Sequence, residues 1–177
     1  NSILFGLQHV TYHEEKLGFN KIFPERPADH VIKNFKDNIN TNLFKKPFYA
    51  EVNFFEPHRP FDYGNVKPFR SKGVFVPKYI PNNHHSRKEF ASMQGAIKKM
   101  DESVAKIINI LKEKNLYQNT IIIFTTDHGI PFPRAKGTLY DAGIESSLII
   151  SYPTLKLKNK KLKELISNID ILPTLLD

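Results

Sequence analysis

The stretch Thr120-Ile121-Ile122-Ile123-Phe124-Thr125-Thr126 is apolar at nearly every position, and it ends abruptly on Asp127-His128-Gly129. A nearly continuous β-branched run predicts a central parallel strand covered on both faces rather than an alternating, half-solvated one. Three more short apolar runs read as strands: Ile3–Leu7, Phe48–Phe54 and Leu148–Tyr152. Between them the period changes. Phe90, Met93, Ile97, Met100, Val104, Ile107 and Leu111 recur at three-and-four spacing, the face of a helix expected from about Ser86 to Lys114. Ser86 and Glu89 have the spacing of a capping box at its start. A second helix is expected near Ala28–Asn40, and a third from about Lys161, restarting after Pro173. Strands alternating with helices predict an α/β fold, a mostly parallel central sheet flanked by helices. The segment from Glu56 to Pro81 has five prolines and no periodicity, so it reads as a long loop of the kind that often carries function.

In open α/β sheets ligands gather beyond the carboxyl ends of the strands. Three predicted strands release polar residues there: His9 after the first, Glu56-Pro57-His58-Arg59 after the second, and Asp127-His128-Gly129 after the third. Asp127 and His128 are adjacent donors able to turn toward one cation. A carboxylate favours Ca²⁺ or Mg²⁺, and an imidazole suits transition metals better. Equally, Asp127 has the chemistry of a helix or turn cap. Lys136, in Lys136-Gly137-Thr138, reads either as a cation for an anionic oxygen or as an exposed loop lysine. His58 sits between Pro57 and Arg59-Pro60 on a stiffened backbone. That suits an imidazole held still for proton transfer, and it suits a structural histidine as well.

Other constellations carry less. His9 and His13 have zinc-pair spacing, but Val10 stands where a zincin needs glutamate, and Thr11 and Tyr12 disfavour helix. His84-His85 falls in an Asn-rich turn and reads as solvated. Ser151 has no nucleophile elbow around it. With no cysteine, these residues hold no disulfide, thiolate metal site or cysteine nucleophile. Nor does any apolar run approach the roughly 18 to 20 residues of a membrane span. The 177 residues suffice for one core. A net charge of +8 makes the surface basic, and much of the excess lies in Lys156–Lys163, expected to be a solvated face or loop.

Taken together, Gly6-Leu7-Gln8-His9-Val10, Glu56-Pro57-His58-Arg59-Pro60, Thr126-Asp127-His128-Gly129, Lys136-Gly137-Thr138-Leu139-Tyr140-Asp141-Ala142-Gly143 and the closing Ile169–Asp177 resemble the sulfatase family of the alkaline phosphatase superfamily. Pro57-His58-Arg59 with Asp127–Pro133 resembles its heparan N-sulfatase (N-sulfoglucosamine sulfohydrolase) branch in particular. The resemblance implies that residues 1–177 are the middle and later part of one sulfatase catalytic domain. It implies roles as well. Asp127 and His128 match late ligands of the active-site Ca²⁺, with Mg²⁺ or another divalent cation as alternatives, and His128 stands where many members have Asn. Lys136 matches the sulfate-contacting cation, His58 the histidine near the leaving group, and His9 the histidine supporting the nucleophile region.

The chain departs from the family pattern at several positions. Leu7 replaces a lysine that contacts sulfate, and Glu145 and Ser147 replace the usual Arg and Pro. No C/S-x-P-x-R motif is present; Ser151-Tyr152-Pro153-Thr154-Leu155 comes nearest but has Leu155 in place of Arg. The formylglycine nucleophile made from that motif, and the early Asp-Asp ligands, are therefore expected upstream, and this chain alone is expected to be inactive. The implied partner is a sulfated carbohydrate, with no nucleic acid and no membrane span. Secreted, periplasmic or lysosomal placement accompanies the family. Two alternatives stand beside hydrolysis of sulfuric esters or sulfamates. One is phosphate mono- or diester hydrolysis within the superfamily, and the other a catalytically inactive polyanion-binding module.

Overall fold

The computed structural model describes residues 1–45, 47–155 and 160–177. They form two compact units, Asn1–Lys114 and Asn115–Asp177.

In the first unit the elements are β1 (Ser2–Gly6), β2 (Lys21–Phe23), α1 (Ala28–Asn38), β3 (Tyr49–Asn53) and α2 (His84–Glu113). The three strands form a parallel sheet in the order β2-β1-β3. β1 is central, and its Ile3, Leu4 and Phe5 are buried, as expected of an apolar run covered on both faces. Phe5 stacks on Phe23 with centroids 5.0 Å apart and meets Phe35 of α1 edge-on at 5.4 Å. Phe44 continues this aromatic cluster to Phe48. Helix α1 faces the sheet through Ala28, Val31, Ile32 and Phe35, the spacing of one helical stripe.

Helix α2 begins two residues earlier than the periodicity predicts, because its cap is Asn83. The Asn83 side chain accepts from the Ser86 N–H at 3.0 Å, and the Ser86 hydroxyl reaches back to the Asn83 backbone. Ser86 is thus the third residue of the helix rather than its cap, and Glu89 is released from capping. His84-His85 form its exposed first positions rather than a turn before it. The buried face is also rotated from the predicted one. Phe90, Met93 and Leu111 are buried as expected, but Ile97 is exposed while Ala91, Gly95, Ala96 and Ser103 are covered.

The reason lies in the Glu56–Pro81 segment, which has no regular structure beyond a single turn at Tyr63–Asn65. It lies along α2 and needs small residues beneath it. The Phe69 N–H donates to the Ala91 carbonyl at 2.9 Å, and the Gln94 side chain bonds Phe69, Gly73 and Phe75. The peptide bonds Glu56–Pro57 and Arg59–Pro60 are cis.

The second unit contains β4 (Ile122–Thr125), α3 (Asp141–Ile144), β5 (Leu148–Ser151) and α4 (Ile171–Leu176). Here the covered parallel strand expected at Thr120–Thr126 is corrected. Within the unit β4 pairs antiparallel with β5, Ile122 opposite Ser151 and Thr125 opposite Leu148, and Ile121 is exposed. The intervening residues 126–147 fold into turns and the single helical turn α3. They do not build the crossover helix that parallel pairing requires, so the chain returns antiparallel. The helix expected from Lys161 is absent too: residues 160–167 are exposed and irregular, and α4 starts at Ile171 after a turn capped by Ser167 and Asp170. Pro173 lies inside α4, in its first turn, where a missing N–H costs no helical bond. Of the lysine run, residues 156–159 lie outside the described residues, while Lys160, Lys161 and Lys163 are exposed. Among the described residues, no helix is long and apolar enough to cross a membrane.

Candidate functional site

Within the first unit, parallel pairing places the ends of β1 and β3 side by side. The register matches Gly6 with Asn53, and the residues that follow each strand lie together. The His9 and His58 rings meet edge-to-face with centroids 5.9 Å apart. Gln8 shapes the first of these loops. Its amide oxygen accepts from the Val10 and Thr11 N–H groups, and its NH₂ donates to the Thr11 carbonyl at 2.7 Å. This turn projects His9 outward, where it is exposed. His13, four residues on, pairs with Glu15 instead.

His58 is held more firmly. Its backbone N–H donates to the Phe55 carbonyl at 2.7 Å, and its ring packs on Phe55 at 5.1 Å. Its Nδ1 lies 2.6 Å from the Arg59 carbonyl oxygen. A carbonyl oxygen only accepts, so Nδ1 carries a proton and Nε2 is the atom left to exchange one. Arg59 in turn forms an ion pair with Glu89 of α2 at 2.5 Å, and its guanidinium lies 4.6 Å from the centre of the buried Phe61 ring.

Glu56, at the start of the same loop, is a residue that the sequence reading left without a role. It is buried, with one carboxylate oxygen 3.5 Å from the Ala28 N–H at the start of α1 and the other without a hydrogen-bond partner among the described residues. Burial pushes its carboxyl above the ordinary carboxylate range, against smaller lowering by backbone hydrogen bonds and Lys99. No local pattern announces this; the glutamate is buried where the loop after β3 meets the start of α1.

Within the second unit, Asp127 and His128 leave the end of β4 together. His128 Nδ1 lies 2.7 Å from the Gly129 carbonyl oxygen, so it too carries the proton on Nδ1. Its Nε2 then faces Asp127 Oδ2 at 3.4 Å. A ring nitrogen and a carboxylate oxygen thus converge, as two donors to one cation would. A histidine whose other ring N–H donates to a backbone carbonyl is the usual form of a metal ligand. The pair therefore fits a divalent cation as two donors of a larger set, since Ca²⁺ takes about six to eight ligands. Among the described residues, no group of three or more His, Cys, Asp or Glu side chains is placed to hold a metal ion.

Lys136 belongs to the same knot of backbone, since its N–H donates to the Ile130 carbonyl at 3.0 Å, and its side chain is exposed. Gly129 makes the knot possible: a Cβ there would sit 1.8 Å from the Ala142 carbonyl oxygen. Asn168 is a second residue without a predicted role. Its side chain bonds the Thr126 carbonyl and the Thr125 hydroxyl, both at 3.0 Å, fixing the strand end that presents Asp127. Its position in the capped turn Ser167–Asp170 was the one available signal.

The family model described as Sulfatase matches residues 4–177. This chain belongs to the sulfatase family. It is 28% identical to the N-sulphoglucosamine sulphohydrolase of Homo sapiens over 157 residues, covering 75% of this chain and 31% of that protein. With an ulvan-active sulfatase of Formosa agariphila it shares 35% identity over 101 residues, covering 57% of this chain and 17% of the relative. Among solved structures, a Bacteroides thetaiotaomicron protein from work on the metabolism of multiple glycosaminoglycans superposes with a TM-score of 0.57. That match is 20% identical and covers 71% of this chain and 29% of the other, a likeness of fold. The chain of this sulfatase-family member spans about a third or less of these relatives.

Proposed function

We propose that these residues serve a longer sulfatase that hydrolyses sulfuric esters or sulfamates of sulfated sugars. The reading rests on the family match together with the state of His58, whose Nδ1 proton is committed to the Arg59 carbonyl. Cleavage of an S–O or S–N bond builds negative charge on the leaving oxygen or nitrogen. A protonated His58 donates from Nε2 to that atom as the bond breaks, and is left neutral in the Nδ1–H tautomer that the carbonyl already favours. His9, against the same ring, helps fix its plane. Lys136 meets a sulfuryl oxygen with its ammonium group and offsets the charge gathering there.

Asp127 and His128 would hold the divalent cation, Ca²⁺ or Mg²⁺, which when bound neutralises negative charge on the sulfuryl group. The nucleophile is a formylglycine in another part of the whole protein. The basic surface assists capture of a polyanionic substrate. Secreted, periplasmic or lysosomal placement is part of the same family-based reading.

The test is turnover of sulfated and N-sulfated sugars by the whole protein and its variants. His58→Ala and Lys136→Ala are each expected to lower kcat at least about 100-fold, and chelation is expected to abolish activity that Ca²⁺ restores. Near-wild-type turnover in either variant removes the role assigned to that residue. Preference for phosphate monoesters or diesters over sulfates would move the reading to the phosphate branch. Salt-sensitive heparin binding without turnover would make the protein a binding module.

A further inference from the structure

We propose that Glu89 is a positioning residue for His58, acting through Arg59. The inference rests on the proton-donor reading of His58 for its consequence in turnover, but not for the coupling itself.

An unconstrained neutral imidazole prefers its proton on Nε2. His58 carries it on Nδ1 because the Arg59 carbonyl oxygen stands 2.6 Å away. The tautomer therefore depends on where that carbonyl is held. Contacts of the Arg59 side chain anchor the residue that carries it. The Arg59 guanidinium is joined to Glu89 Oε2 at 2.5 Å, and it lies over the ring of Phe61, which is buried. Glu89 belongs to α2, a helix of 30 residues whose start is fixed by the Asn83–Ser86 box. That box is what leaves the Glu89 carboxylate free to reach across 30 positions of chain to Arg59. The long helix thus sets the orientation of a ring on an otherwise irregular loop, and it sets which nitrogen faces the substrate.

Both partners of the ion pair are more than 40% exposed, so the pair adds little to stability, and the variants below are expected to fold. The experiment is long-range ¹H–¹⁵N NMR of the histidine rings of this chain, at a pH where His58 is neutral. The His58 signals are identified by their loss in His58→Gln. In the native chain His58 is expected to be the Nδ1–H tautomer. In Glu89→Gln, and independently in Arg59→Gln, the Nε2–H form is expected to become the majority, while His30 and His84 keep their native patterns. An Nε2–H majority in the native chain, or a native His58 pattern in both variants, overturns the proposal. In the whole enzyme Glu89→Gln is expected to lower kcat about 10-fold with KM little changed, a part of what a general acid supplies. Should His58→Ala leave turnover intact, the proton-donor role falls while a tautomer shift in Glu89→Gln still upholds the coupling.

Discussion

Replacing Gly6 with alanine tests how the sheet brings the two histidine loops together. Gly6 is the last residue of β1, paired with Asn53 of β3, and has φ of +93°. A Cβ built there lies 1.9 Å from the Asn53 carbonyl oxygen and 3.3 Å from a Val31 methyl. Two costs combine. The left-handed backbone conformation costs a residue with a side chain about 1–2 kcal/mol. Relieving the clash requires the strand ends to part by roughly 1 Å, and overpacking of this kind costs about 1–3 kcal/mol more. The expected loss is about 2–5 kcal/mol, a large share of the roughly 5–15 kcal/mol that holds a domain together.

Gly18→Ala separates the two costs, because Gly18 has φ of +76° but nothing within 4 Å of its Cβ. It should lose only the conformational part, about 1–2 kcal/mol. Urea denaturation followed by circular dichroism at 222 nm, where α2 dominates the first unit, gives both values. If Gly6→Ala is no more destabilising than Gly18→Ala, close approach of the β1 and β3 backbones is not what places His9 beside His58.

Two carboxyls give opposite pH signatures. Glu56, raised by burial, supports the fold fully below its unfolded pKa, and that support is lost as pH rises through the higher folded value. Glu56→Gln should flatten stability in that window, and an unchanged slope in pH-resolved urea titrations would refute the assignment. Asp29 is held below the usual carboxylate range, first by its hydrogen bond to Lys99. Its support is present above the unfolded pKa and lost as pH falls through the folded one. Asp29→Asn should therefore cost stability near neutral pH, by less than about 1 kcal/mol because the pair is partly solvated, and the difference should vanish in 1 M NaCl.

The strand-end positions of the candidate site residues were readable from the sequence. His9, His58, Asp127 and His128 each follow an apolar run, and strand ends are legible because side-chain composition changes abruptly where burial stops. The groups that hold them were not. Glu89 sits at capping-box spacing from Ser86, yet Asn83 takes the cap and Glu89 pairs with Arg59. A local pattern cannot decide between two acceptable caps, and it carries no information about a partner 30 residues away. The buried face of α2 likewise departs from its hydrophobic stripe, since the covering element is an aperiodic loop whose path over Gly95 no periodicity records.

By itself the sequence determined four of the strand runs, the approximate extents of α1 and α2, and the α/β class, because propensity and periodicity act over a few neighbouring residues; it did not mark β2 or α3, and it placed a helix at Lys161 where there is none. Tertiary structure alone decided that β4 returns antiparallel to β5, that Glu56 is buried at the start of α1, and that Asn168 clamps the strand end before Asp127. It also placed a backbone carbonyl beside Nδ1 of His58 and of His128, an acceptor that favours the Nδ1–H tautomer. Those outcomes depend on which segments meet in space, and such meetings are fixed by packing the whole chain at once rather than by any local run of residues.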